Sequence, residues 1–281
     1  MDPVAAMSFL NALALDLERG DVQLPSFPDA VMKIRDALQR EDCEIAEIVK
    51  LVNLEPVLTS RLVQTANSAF HNPTGRAIPD LNAAVMRLGL QEVKNRAVAF
   101  AVEQLFAAEQ NTTLAAPLGV LWKQSVGTAA AAAILAEDCH GVDVGQAYLA
   151  GLLHDIGKLY MLQKSIEFPA AEVDLAARCD DDSWHPQVGR SIAESWGFSD
   201  DILDTMDAHE HIGDNPNQQP ALVDVIIAAE RVVTQTDAIA EQDWQHISLR
   251  RLQLDQSRYQ ELQPMIEERT QEELRALGGA G

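Results

Sequence analysis

The sequence predicts an all-α protein of two packed helical subdomains. Apolar residues recur at helical spacing, alternating apolar–polar runs are scarce, and the breaks between periodic segments fall on proline, glycine and asparagine. The 281 residues, 47% of them hydrophobic, can fill a core without covalent staples. Cys43, Cys139 and Cys179 are odd in number, widely spaced and form no CxxC pair, which excludes a disulfide framework or cysteine zinc knuckle and favours a reducing compartment.

The segment from Met1 to Arg19 reads as a short amphipathic helix; its acidic second residue and lack of a basic stretch argue against a cleaved signal peptide. Ile45, Ile48, Val49 and Val52 share one helical face, with Asp42 placed to cap it. Pro56 ends or restarts that helix, and Val57 to Ala69 forms the next, with Leu58 and Leu62 one turn apart. Asn72-Pro73-Thr74-Gly75 is a turn, Pro79-Asp80 precedes a helix carrying Ala84, Val85 and Leu88, and Gly89 interrupts it before Gln91 to Glu109.

Residues 111 to 117 are the expected junction, giving an N-terminal subdomain over 1–112, a second over 113–240 and a helical extension over 241–281. Trp122 to Ala136 holds five successive alanines, which favour helix and let a neighbour approach closely. Gly145 to Gln163, Asp180 to Trp196, a helix capped by Ser199-Asp200 and reaching about His211, and Leu222 to Thr236 follow, with a loop over 213–220. Pro264 must kink the last helix or start a new one.

Lysine and arginine total 21 against 43 acidic residues, a net charge of -22. Such a surface repels phosphate backbones and anionic lipid, and no basic cluster offsets it, so nucleic-acid and membrane partners are not expected. No apolar run approaches the ~20 residues of a bilayer span, which predicts a cytoplasmic protein.

The chemistry concentrates at His154-Asp155-Ile156-Gly157-Lys158, after the apolar run Tyr148 to Leu153. An imidazole and a carboxylate offered to one point from a buried helix suit a divalent metal, provided other segments add donors. His71, His140 and His246 sit beside turns or in charged segments and read as structural. His209 and His211 point about 200° apart on a helix, and His209 shares the inward side with Ile202 and Met206. Phosphate-loop, nucleophile-elbow and zincin motifs are absent, and Ala208-His209-Glu210-His211 lacks the i, i+4 histidine spacing.

The order of several blocks resembles the HDOD domain, the HD-related output module of bacterial signalling proteins. These blocks are Leu24-Pro25-Ser26-Phe27-Pro28, Leu54-Glu55-Pro56-Val57-Leu58 with Ala66-Asn67-Ser68-Ala69, Leu88-Gly89-Leu90, Leu121-Trp122 to Ser125, and Gly151 to Lys158. The resemblance spans about residues 20 to 235 and implies an HD-like bundle in the second subdomain, related to the HD phosphohydrolases and the HD-GYP cyclic-di-GMP phosphodiesterases.

Carried over position by position, the resemblance makes His154 and Asp155 the central metal pair. It adds His185, His209 and Glu210, the last replacing a second histidine, and Glu230 in place of a final aspartate. Gln124 stands where catalytic relatives have a first histidine, and an amide oxygen is the poorer ligand. The implied role is regulatory, through protein partners of a signalling pathway or a small phosphorylated ligand. The implied pocket holds a divalent metal (iron, manganese or zinc) or is vestigial, its polar groups bonded to one another. The alternative is a metal-dependent phosphohydrolase or cyclic-dinucleotide phosphodiesterase using Asp155 and Lys158. Without a substrate, Lys158 is expected to pair with Asp155 three residues back. Gly151 and Gly157 are expected to allow close helix packing.

Overall fold

A computed structural model of the protein describes residues 3–22, 33–34, 36–37, 40, 44–107, 114–168, 184–210, 219–234, 244 and 246–277. Among these residues the regular elements are all helices, so the chain is all-α as predicted. They are α1 (Pro3–Arg19), α2 (Ile45–Val52), α3 (Pro56–Ala66), α4 (Leu81–Ala107), α5 (Ala115–Glu137), α6 (Val144–Leu153), α7 (Ile156–Ser165), α8 (His185–Ser195), α9 (Asp200–Ala208), α10 (Leu222–Thr234), α11 (Ile247–Arg251) and α12 (Gln256–Ala276). Two compact units result, one of Pro25–Ala107 with Glu267–Gly281 and the other of Met1–Leu24 with Ala108–Ile266. This partition is not sequential: α1 belongs with α5 to α11, and α12 begins in one unit and ends in the other.

In the unit containing α2 to α4, Ile48, Val49 and Val52 are buried, while Ile45 at the first helical position stays exposed. Asp42 lies outside the described residues. The cap position is Glu44, whose side chain makes no capping bond. Pro56 starts α3 at its first position, where its missing N–H has no helical partner to lose. That helix ends at Ala66, short of the expected Ala69. Asn67 then closes the following loop, donating from Nδ2 to Val63 O and Ile78 O and accepting from Ile78 N. The turn at Asn72 closes from Gly75 N to Asn72 O at 3.0 Å, and Asp80 caps α4 by accepting from Ala83 N at 2.9 Å.

Gly89 breaks α4 with φ 80° and ψ 161°, a conformation open essentially to glycine alone. An added Cβ there would meet nothing within 4 Å. Gly89→Ala is therefore expected to destabilise through the backbone alone, by about 1–3 kcal/mol in chemical denaturation.

In the other unit α5 is the central helix, flanked by α6 and α10, and Ala129 to Ala133 are fully buried in it. It is also long and apolar enough to cross a membrane, contrary to the expectation that no segment was, and 78% of its apolar window is buried inside the protein. The small side chains let α6 come so close that a Cβ on Gly151 would lie 2.9 Å from Ala129 Cα and Thr128 O. Helix α1 is tied to α7 through Asp16, which accepts from Tyr160 Oη at 2.8 Å and pairs with Lys164 Nζ at 3.0 Å. Pro264 sits inside α12, which continues through it.

Candidate metal centre

The element expected over Gly145 to Gln163 is two helices rather than one. Helix α6 ends at Leu153, His154 forms its C-cap, and Asp155, with φ −101° and ψ 14°, precedes α7. Asp155 makes no capping bond to α7, so its carboxylate remains available to the interior. What brings α8 to this junction is Gly157. A Cβ on Gly157 would lie 2.0 Å from His185 O, so only glycine lets the first turn of α8 rest on the first turn of α7 and set His185 beside Asp155.

Four side chains from three chain segments converge there. His185 Nε2 lies 3.1 Å from His209 Nε2, 3.1 Å from Glu210 Oε1 and 3.4 Å from Asp155 Oδ1. His209 Nε2 lies 3.6 Å from Glu210 Oε1 and 3.9 Å from Asp155 Oδ1. These five distances bracket the roughly 3.4 Å edge of a tetrahedron built on metal–ligand bonds of about 2.1 Å. A second set, His154, Asp155 and Glu230, also has its donor atoms within 4.8 Å of one another, and Asp155 belongs to both.

Two of the imidazoles are oriented for ligation by the backbone. His154 Nδ1 donates to Gly151 O at 2.8 Å and His209 Nδ1 to Met206 O at 2.7 Å, which turns each Nε2 toward the interior. His185 Nδ1 is buried without a hydrogen-bond partner. An array of two carboxylates and two imidazoles fits a borderline divalent cation, and such a cation would relieve the crowding of donor atoms that otherwise face one another.

The electrostatics distinguish the two sets. Burial works against ionisation of Asp155, but His154, Lys158 and His185 outweigh it and hold the carboxyl well below its usual range. Burial likewise opposes charge on His154, yet Asp155 and, beyond it, Glu230 raise the imidazole to about 9. His209 moves the other way, to about 4, because burial and the neighbouring His154 both oppose its protonation. Burial raises the Glu230 carboxyl; burial also opposes ionisation of Glu210, but the hydrogen bond from His185 outweighs it and lowers that carboxyl. At neutral pH the four-donor set thus presents a neutral His209, while in the three-donor set His154 carries a proton.

Both sets border a cavity of about 330 Å³ whose wall also includes Gln124, Thr128, Lys158 and Thr234. All six residues proposed from the sequence as ligands, His154, Asp155, His185, His209, Glu210 and Glu230, belong to these two sets, and all but His185 and His209 line the cavity, with Gln124 on the same wall. Lys158 makes the expected i, i+3 pair, its Nζ 2.9 Å from Asp155 Oδ1. Sequence reasoning missed Thr128 and Thr234. Each follows a cavity residue, Gln124 or Glu230, by one helical turn, and that spacing was the available signal.

Two other histidines have partners of their own. His246 accepts from Ser248 N as the cap of α11, and His71, 3.6 Å from Glu92, is lowered to about 4 chiefly by burial. His211 and the loop expected over 213–218 lie outside the described residues.

The fold has counterparts among solved structures. A solved structure from Shewanella amazonensis SB2B, provisionally named a metal-dependent phosphohydrolase, superposes with a TM-score of 0.75 at 22% identity, covering 98% of this chain and 99% of that one. One from Marinobacter aquaeolei VT8, provisionally named a signal transduction protein, gives a TM-score of 0.64 at 22% identity over 92% of this chain and 60% of its own. At these identities the likeness establishes the fold. An uncharacterized protein of Treponema pallidum (strain Nichols) is 23% identical over 224 residues, which make up 75% of this chain but only 42% of that protein, so this chain spans less than half of the curated relative it matches. The HDOD domain matches residues 24–212, well over half of the sequence, and the chain belongs to the HDOD family.

Proposed function

We propose that this HDOD protein is a signal-transduction module that binds a divalent metal and, through it, a small phosphorylated ligand. The observation that carries the reading is the four-donor set of Asp155, His185, His209 and Glu210, which needs nothing from position 124. Burial and the neighbouring His154 keep His209 neutral at physiological pH, so no proton need leave that ring. The three-donor set is the weaker of the two: His154 must lose a proton to serve in it, and Gln124 replaces the further imidazole that the family resemblance implies.

When bound, the cation supplies positive charge and Lewis acidity in a cavity whose own cations, His154 and Lys158, are both engaged by Asp155. Lys158 is tied to Asp155, and Glu210 and Glu230 face the same space. The chain as a whole carries a net charge of -22. A phosphate approaching the metal-free pocket meets repulsion, so ligand binding is expected to depend on metal.

Elemental analysis of untagged protein loaded with manganese, iron or zinc is expected to give one tight equivalent, lost in His209→Ala. Inorganic phosphate should bind the loaded protein at least about tenfold more tightly than the chelator-treated protein. Failure of the wild type to take up any metal would overturn the reading.

A phosphohydrolase or cyclic-dinucleotide phosphodiesterase is the second reading, favoured by the open cavity beside both donor sets and by Lys158, whose ammonium would hold a phosphoryl oxygen. Manganese-dependent hydrolysis of a chromogenic phosphomonoester or of a cyclic dinucleotide, abolished in Lys158→Ala, would replace binding with turnover. In Gln124→His, a second tight metal equivalent would show that the three-donor set is one ligand short.

A further inference from the structure

Thr128 presents a hydroxyl that the fold leaves unused. It is fully buried in the middle of α5, and its Oγ1 has no hydrogen-bond partner. A helical threonine ordinarily turns its hydroxyl back to the carbonyl one turn earlier. Thr205 does so toward Asp201 O at 2.7 Å, and Thr234 toward Glu230 O at 2.9 Å. Thr128 does not, and it lines the cavity at the metal centre instead. A buried hydroxyl without a partner is destabilising, and valine, of the same shape, would fill the position without that penalty.

The rest of this wall has the same character. Gln124, one turn earlier on α5, is half-buried, and Thr234 on α10 is exposed at the mouth. Between them they offer amide and hydroxyl groups but no charge. The ionisable groups of the cavity are His154, Asp155, Lys158, Glu210 and Glu230, and none of them comes from α5. A wall of hydrogen-bonding but uncharged groups suits the hydroxyls of a ligand and offers nothing to a second phosphate. The volume of about 330 Å³ sits at the small end of ligand sites, which run from about 300 to 1,000 Å³.

We infer that Thr128, together with Gln124, is the specificity-determining element of the pocket and hydrogen-bonds a hydroxyl of a small sugar-like or polyol phosphate monoester. The phosphate end is held at the donor sets and Lys158, so the inference rests on the metal-dependent reading above.

The test compares inorganic phosphate with ribose 5-phosphate by calorimetry on manganese-loaded protein. The wild type is expected to prefer ribose 5-phosphate by about tenfold. Thr128→Val should bring the two within about twofold without changing metal content or phosphate affinity, and Thr128→Ser should restore the preference. Metal-free Thr128→Val should melt at or above the wild-type temperature, because no internal hydrogen bond is lost. An intact preference in Thr128→Val, no preference in the wild type, or a melting temperature several degrees lower in the variant would overturn the inference while leaving the metal reading in place. A wild type that binds neither manganese nor phosphate would overturn both.

Discussion

Asp155→Asn is expected to abolish metal uptake and to lower the stability of the metal-free protein by about 3 kcal/mol, the low end of the range for removing one partner of a buried charge pair. The loss of metal follows from position: Asp155 is the only residue common to both donor sets, and an amide retains the shape without the charge. The loss of stability follows from what Asp155 holds. His154 Nε2 lies 3.4 Å from one carboxylate oxygen, and Lys158 Nζ is within 3.0 Å of both. Neutralising the carboxylate leaves two largely buried cations facing each other. His154 can escape by releasing its proton and Lys158 by turning toward Glu210, which keeps the effect at the low end.

The same substitution has a signature in pH. The raised His154 contributes stability that is fully present below its unfolded value of 6.5 and is lost as pH rises through about 9. The depressed Asp155 contributes stability that is present above the ordinary carboxylate range and is lost as pH falls below it. Metal-free wild type should therefore lose stability between pH 6.5 and 9 through His154, and Asp155→Asn should lose much less over the same interval. Urea denaturation at several pH values, with elemental analysis of the loaded proteins, measures both effects. Stoichiometric metal in the variant, or equal alkaline slopes in the two proteins, would show that Asp155 does not organise the centre.

Much of this centre was legible in the chain. Helical spacing identified most elements, and the match of the His154 to Lys158 segment to the HD pattern drew in His185, His209, Glu210 and Glu230, which the fold does bring together. The break between α6 and α7 was not legible, because apolar residues run from Tyr148 to Leu162 with little interruption and periodicity does not register a change of backbone angle at the single residue Asp155. Capping was read by residue type and partly failed. Ser199 occupies the N-cap of α9, but its side chain makes no capping bond, and its Oγ accepts from Gln146 Nε2 on α6 at 3.3 Å. The placement of α1 beside α7 depends on Asp16 meeting Tyr160 and Lys164 across more than half the chain, a pairing that local pattern cannot show. Thr128 escaped notice because a threonine within an alanine-rich helix reads as filler, and only the missing back-bond exposes its difference.

Gly157→Ala is expected to be the most damaging of the glycine substitutions beside the candidate metal centre, dispersing its donor set along with at least about 4 kcal/mol of stability. Its Cβ would stand 2.0 Å from His185 O, 2.8 Å from His185 C and 2.9 Å from Gly189 N. All three are backbone atoms, so no side chain can swing aside, and α8 must retreat by more than an ångström. That helix is anchored by Val188 and Ile192, both fully buried, and moving it opens voids in a close-packed interior. Against a total stability of about 5–15 kcal/mol for a typical domain, such a loss is a large fraction. His185 moves with the helix, which breaks its 3.1 Å approaches to His209 and Glu210. Two neighbouring glycines grade the effect. Gly151→Ala should be milder, since its closest contacts are 2.9 Å, and Gly189→Ala should be tolerated, since its closest contact is 3.4 Å. Thermal melts and metal content across the three variants should fall in that order. A Gly157→Ala protein with wild-type melting temperature and full metal would mean that α8 can move away from α7 without disturbing the donor set, and the close approach at Gly157 would then not be what positions His185.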